Sequence, residues 1–230
     1  MAGTYSIIER PSPNFDAREI GVPVDMLVMH YTGMPSGKEA LSRLTDVECQ
    51  VSAHYMIEED GRVFGLVDEA NRAWHAGVSY WRGHRNINAR SIGIELVNPG
   101  HEFGYRGFPE VQMQALVALA LDILSRHAIP RRNVVGHSDI APTRKDDPGE
   151  LFDWRSLAAQ GIGLWPERAD HGPDNVMDAL SVIGYDTVDY ASSLAAFQRH
   201  FRQSEVHGHA DPDTLCWLQG TADMYATSRS

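Results

Sequence analysis

Over roughly the first 165 residues, short apolar runs bounded by turn-forming residues alternate with stretches whose apolar positions recur at helical spacing. Asp25-Met26-Leu27-Val28-Met29-His30 follows Gly21 and Pro23, and its length and flanks predict a buried strand ending at a histidine. Ala40, Leu41, Leu44 and Val47 predict a helix over residues 36–46. Residues 51–57 and 62–67 flank Asp60-Gly61, and Asp-Gly supplies the positive φ angles of a tight turn, so a β-hairpin is expected there. Ile92-Gly93-Ile94-Glu95-Leu96-Val97, closed by Asn98-Pro99-Gly100, predicts another buried strand. The clearest helix is 109–127: Leu116, Leu119, Ala120, Ile123 and Leu124 share a face, Pro109 suits the first turn and Pro130 follows the end. Asn133-Val134-Val135-Gly136-His137 predicts a strand that again stops at a histidine.

Strands alternating with helices predict an α/β layer domain over residues 1–166. The polar, turn-rich stretch 167–173 reads as a linker. Helical patterns at 175–183, 190–203 and 211–218 then predict a small three-helix unit within 174–230. A hydrophobic content of 43% in 230 residues supports a packed core and excludes intrinsic disorder. No stretch approaches the roughly 18 apolar residues of a membrane span. The net charge of −11 disfavours nucleic acid as a partner. Cys49 and Cys216 lie far apart and read as buried or incidental thiols. With Met1 as the natural start, the N-terminus lacks a basic region followed by an apolar one, which places the protein in the cytoplasm; a longer exported precursor would move it to the periplasm.

His30 and the run from His137 to Gly149 offer two imidazoles and a carboxylate, a set that holds zinc and leaves a fourth position for water. Hydrogen-bonded structural histidines and a turn at Asp146-Asp147-Pro148-Gly149 are the plainer alternative. Glu95 interrupts an apolar strand, where it is either a general base tuned by partial burial or a carboxylate on a solvated face. Lys145 leaves an extended chain on the same face as Asp147 and either stabilises an oxyanion or is solvated. Trp74-His75-Ala76-Gly77 and Trp81 are either an aromatic platform for a sugar-peptide ligand or core.

Five separated segments occur in a telling order: Leu27-Val28-Met29-His30-Tyr31-Thr32, Val51-Ser52-Ala53-His54-Tyr55, Ala73-Trp74-His75-Ala76-Gly77, Ser91-Ile92-Gly93-Ile94-Glu95-Leu96, and His137 to Gly149. Over residues 24–166 the chain resembles the zinc-dependent N-acetylmuramoyl-L-alanine amidases of the type 2 family, related to phage T7 lysozyme and peptidoglycan recognition proteins. The resemblance implies a central mixed sheet flanked by helices, and one zinc ion per chain held by His30, His137 and Asp147. It implies Glu95 as general base, Lys145 as oxyanion stabiliser, and cleavage of the amide between the lactyl group of N-acetylmuramic acid and L-alanine of the stem peptide. Trp74, His75, Ala76, Asn86 and Asn88 are the implied substrate contacts. Relatives often carry arginine where Asn86 stands, so the carboxylate clamp is not carried over. The C-terminal part, through Phe197-Gln198-Arg199-His200-Phe201, resembles a three-helix peptidoglycan-binding domain, although Leu194, Phe197 and Phe201 would equally pack a small core.

The expected partner is a muropeptide or peptidoglycan, processed in cell-wall recycling. The alternatives are a non-catalytic peptidoglycan-recognition module, a periplasmic wall-remodelling amidase, and a zinc peptidase cutting within the stem. Preference for 1,6-anhydro sugars, stem length and oligomeric state stay open at this point.

Overall fold

The computed structural model describes residues 5–228. Residues 1–4, on which part of the missing-leader expectation rests, and the last two of 174–230 lie outside it. In chain order the elements are β1 (Ile7–Glu9), β2 (Phe15–Ala17), β3 (Met26–Tyr31), α1 (Gly37–Thr45), β4 (Tyr55–Ile57), β5 (Val63–Gly65), β6 (Asn71–Ala73), β7 (Tyr80–Trp81), β8 (His84–Arg85) and β9 (Ser91–Leu96). They continue with α2 (Gly100–Phe103), α3 (Glu110–Arg126), β10 (Val134–Gly136), α4 (His137–Ile140), α5 (Trp154–Ala159), α6 (Val176–Ile183), α7 (Tyr190–Phe201) and α8 (Pro212–Thr227).

Six strands form one mixed sheet in the order β1-β5-β4-β9-β3-β10. The predicted hairpin is the antiparallel β4–β5 pair, whereas β4, β9, β3 and β10 run parallel. The period-two alternation of strand side chains then sorts β3 and β9 between two faces. Leu27, Met29, Ile92, Ile94 and Leu96 point to one face, where Leu116, Leu119 and Ile123 of α3 cover them with Phe152 and Trp154. Met26 and Val28 point the other way and pack with residues of the C-terminal helices. On that same face, Ala40 and Leu44 of α1 cover Met56 and Phe64. The sheet's second face is therefore roofed from two sides, with a gap between.

Residues 167–173 are tied down rather than trailing: the Ala169 amide donates to the Cys216 carbonyl at 3.1 Å. Leu180, Ile183, Tyr185, Leu194, Phe197, Phe201 and Leu218 join Met26, Val28, Trp81 and Val135 in one apolar cluster. Phe197 and Phe201 are thus core, as is Trp81, whose ring meets Tyr185 edge-on at 5.2 Å. The last helix runs beyond the expected 211–218, through Gly220 to Thr227. Gly220 sits where a Cβ would stand 1.9 Å from the Glu167 carbonyl oxygen, so the glycine serves a close backbone approach and the helix continues through it.

Candidate metal centre and active site

The site grows from the carboxyl ends of three adjacent parallel strands, a place where open α/β sheets bind ligands. The β3–β9 register pairs His30 with Glu95, and the β10–β3 register pairs Gly136 with Met29. The predicted strand ending at His137 stops one residue earlier. His137 opens α4, because the Asp139 carboxylate accepts from the Gly136 amide at 2.7 Å and caps a new helical turn. The loop that follows returns to this turn, where the Ser138 amide donates to the Asp147 carbonyl at 2.8 Å.

Those constraints bring together the three residues predicted as metal ligands. His30 Nδ1 stands 3.0 Å from His137 Nδ1 and 3.0 Å from Asp147 Oδ2, and His137 Nδ1 stands 3.1 Å from the same oxygen. All three side chains are buried. Donors at about 2.0–2.1 Å from a tetrahedral zinc stand about 3.3 Å from one another, so this triangle fits one ion with a coordination position left open. Burial pushes the His30 pKa down to about 4, with His137 adding to the effect. Burial opposes charge on Asp147, but His137 and His30 outweigh it and hold the carboxyl well below its usual range. Two neutral imidazoles and one carboxylate are the protonation states that bind zinc. A second group, Glu205, His207 and Asp211, is more exposed and is wrapped around Arg202, which bonds Glu205 at 3.1 Å and Asp211 at 2.8 Å and supplies the positive charge itself.

Above the triangle lies a cavity of about 350 Å³ whose lining includes Glu95, His137, Lys145 and Asp147, with Arg43 and Leu44 of α1 on the far side. Glu95 is mostly buried, and its Oε2 has no hydrogen-bond partner among the described residues. Burial raises its pKa well above the usual carboxylate value; Asp147 adds to the rise and Lys145 opposes it. Lys145 is thus within electrostatic reach of Glu95 and His30.

Of the expected substrate contacts, Trp74 and His75 line the cavity, and Ala76, Asn86 and Asn88 are absent from its lining. Asn88 is buried, and its Oδ1 accepts from the His75 and Ala76 amides at 3.1 and 2.8 Å. Ala76 offers its carbonyl to His137 Nε2 at 3.2 Å. Asn86 is exposed and donates to Glu19 at 3.0 Å. The Trp74 indole donates to Asp16 at 2.7 Å, leaving its ring as the aromatic surface of the rim. Arg43 and Arg144 escaped the sequence reading because a single exposed arginine on a helix or loop carries no pattern. Arg144 bonds the Ala76 carbonyl at 3.1 Å and lines the cavity as well.

The N-acetylmuramoyl-L-alanine amidase family profile matches residues 20–150, a span that holds the sheet, the triangle and Glu95. The chain belongs to this amidase family. Among known family members, the chain is 38% identical over 259 residues to N-acetylmuramoyl-L-alanine amidase AmiD of Escherichia coli, covering 97% of this chain and 93% of AmiD. It is 35% identical over 161 residues to the 1,6-anhydro-N-acetylmuramyl-L-alanine amidase AmpD of the same organism, covering 63% of this chain and 86% of AmpD. The structure of E. coli AmiD with anhydro-N-acetylmuramic acid-L-Ala-D-gamma-Glu-L-Lys superposes with a TM-score of 0.79 at 38% identity, over 90% of this chain and 92% of that one. AMPDH3 of Pseudomonas aeruginosa, in complex with anhydromuramic pentapeptide, gives 0.81 at 35% identity over 90% and 95% of the two chains. Both superpositions, covering 90% of this chain, extend past the sheet into the C-terminal helices.

Proposed function

We propose that this chain hydrolyses the amide between the lactyl group of N-acetylmuramic acid and the L-alanine of the stem peptide in muropeptides, with zinc held by His30, His137 and Asp147. One observation carries the reading: His30 Nδ1, His137 Nδ1 and Asp147 Oδ2 converge within 3.1 Å of one another, and His137 and Asp147 line the cavity that Glu95 and Lys145 also line. When bound, zinc supplies a Lewis acid for the scissile carbonyl and acidifies water. Glu95, with Oε2 unpartnered and its pKa raised by burial, is suited to take a proton from the attacking water and pass it to the departing L-alanine nitrogen. Lys145 offsets the negative charge that grows on the carbonyl oxygen. Trp74 at the rim offers a ring to the sugar or peptide.

The ligands of AmiD and AMPDH3 support an anhydro-muropeptide as substrate and a role in cell-wall recycling. Two free cysteines, Cys49 and Cys216, support a reducing cytoplasm as the compartment, which fractionation of native cells tests against an exported form. No helix among the described residues is long and apolar enough to cross a membrane. Residues 174–230 are read as the peptidoglycan-binding-like unit, following the catalytic part at 1–166 and the linker at 167–173.

The test is incubation of purified, zinc-loaded protein with an anhydro-muropeptide and mass spectrometry of the products. Release of a peptide beginning at L-alanine, with a free lactyl carboxylate left on the sugar, is expected. Binding without release would make the chain a recognition module, and fragments cut beyond L-alanine would make it a peptidase. Glu95→Ala is expected to retain zinc and lose most turnover.

A further inference from the structure

Behind the metal triangle, three side chains form a line of hydrogen bonds whose direction the atoms themselves determine. Ser91 Oγ stands 2.7 Å from the Ile87 carbonyl oxygen, which has no proton to give, so the Ser91 hydroxyl donates there. His75 Nε2 stands 3.1 Å from the same Oγ and must be the donor in that contact. His75 is buried, and among the described residues none of its hydrogen-bond partners is a carboxylate, so the ring is neutral and its Nδ1 is an acceptor. His30 Nε2, 3.0 Å from His75 Nδ1, is then the proton-bearing nitrogen of His30.

We propose that Ser91 and His75 are positioning residues that fix His30 as its Nε2–H tautomer, so that Nδ1 presents a lone pair to a divalent metal before the metal arrives. The inference rests on the zinc reading above and extends it to two residues that do not touch the ion. Further features of the fold are built around this line. A Cβ at Gly93 would stand 2.5 Å from the His75 ring, so the glycine inside an apolar strand makes room for the imidazole. Asn88 clamps the His75 and Ala76 amides through one oxygen, setting the height of the ring. The second ligand is held by the same segment, since the Ala76 carbonyl accepts from His137 Nε2 at 3.2 Å and leaves His137 Nδ1 free in the same way. Two residues expected to contact substrate, His75 and Ala76, thus orient both histidines. An unfixed imidazole spends part of its time with the proton on Nδ1, where it cannot bind metal, and outer partners of this kind are worth about 10–100-fold in metal affinity.

Two measurements on the full-length chain test this. Long-range ¹H–¹⁵N spectra of the chelator-treated wild-type protein are expected to show His30 and His75 both protonated on Nε2; either ring protonated on Nδ1 overturns the relay. In chelator competition, His75→Phe is expected to weaken zinc binding about 10–100-fold. His75→Asn, whose Oδ1 can accept from His30 Nε2, is expected to restore most of that loss. His75→Phe binding zinc like the wild type, or His75→Asn as weak as His75→Phe with both variants folded by circular dichroism, refutes the proposal. Wild-type protein that binds no zinc would sink the functional reading, while the tautomer spectrum would still decide the relay.

Discussion

Replacing Glu95 with glutamine isolates what the fold sacrifices to keep an acid beside the metal triangle. The two side chains have the same shape, and glutamine cannot ionise. Below the unfolded-state value of about 4.3, glutamate is protonated in both folded and unfolded chains, and the substitution changes little. As pH rises past that value the unfolded chain releases its proton. In the folded chain burial, reinforced by Asp147 and opposed by Lys145, keeps the carboxyl protonated. The folded state then binds more protons than the unfolded one, so stability falls as pH rises from about 4.3 through the raised folded value. At pH 7 the loss has a ceiling of about 3.7 kcal/mol, since each pH unit is worth about 1.36 kcal/mol. Urea denaturation of chelator-treated wild type and Glu95→Gln from pH 4 to 8 measures it. The variant is expected to match the wild type near pH 4 and to become more stable as pH rises, with a gain at pH 7 of no more than that ceiling. In a thermal scan that is about 2–4 °C per kcal/mol for a chain of this size. Zinc-loaded Glu95→Gln should lose about 100-fold or more in turnover. A gap that does not widen with pH, or a variant less stable than wild type at pH 7, refutes the burial argument.

Other expectations follow from neighbouring contacts. The Lys145→Ala variant should keep zinc and lose about 100–1,000-fold in kcat, measured by release of stem peptide. Acid should weaken the metal-free protein between about pH 6.5 and 4. Burial holds His30 near about 4 and, with Arg18, His54 near about 3, so the unfolded chain gains protons that the folded chain refuses. His54→Gln should flatten that slope in pH-dependent unfolding. Tyr185→Phe should cost about 1.5–3 kcal/mol in urea unfolding, because the hydroxyl donates at 2.6 Å to the buried Asp139 carboxylate that also caps α4 and bonds His200 at 2.7 Å. An unchanged midpoint would show that this pin between α4 and the C-terminal helices carries no load.

The elements legible in the sequence were those buried on a regular period. The runs ending at His30 and containing Glu95 became β3 and β9, and the Leu116–Leu124 pattern became α3, because each faces a core along its whole length. The two-residue strands β7 and β8 and the exposed β2 left no such trace, since their pairing depends on partners distant in sequence. His137 was read one residue too far into its strand because the cap that ends β10 is the Asp139 side chain, a tertiary choice that an apolar run does not encode. Asp147 could be singled out among the carboxylates of its run only by family likeness, as a charged loop has no period. The bond from His75 to His30, and the burial of Asn88 against the His75 and Ala76 amides, needed coordinates. A signal that could have found them is Gly93, a glycine inside an otherwise largely apolar strand that leaves room for the His75 ring.

The most direct measurement is X-ray diffraction from zinc-replete crystals with data on both sides of the zinc absorption edge. A single anomalous peak about 2.0–2.2 Å from His30 Nδ1, His137 Nδ1 and Asp147 Oδ2, with the cavity side of its coordination sphere open to solvent, is the predicted result. A peak ligated elsewhere, or replete crystals whose three side chains share no ion, would contradict it.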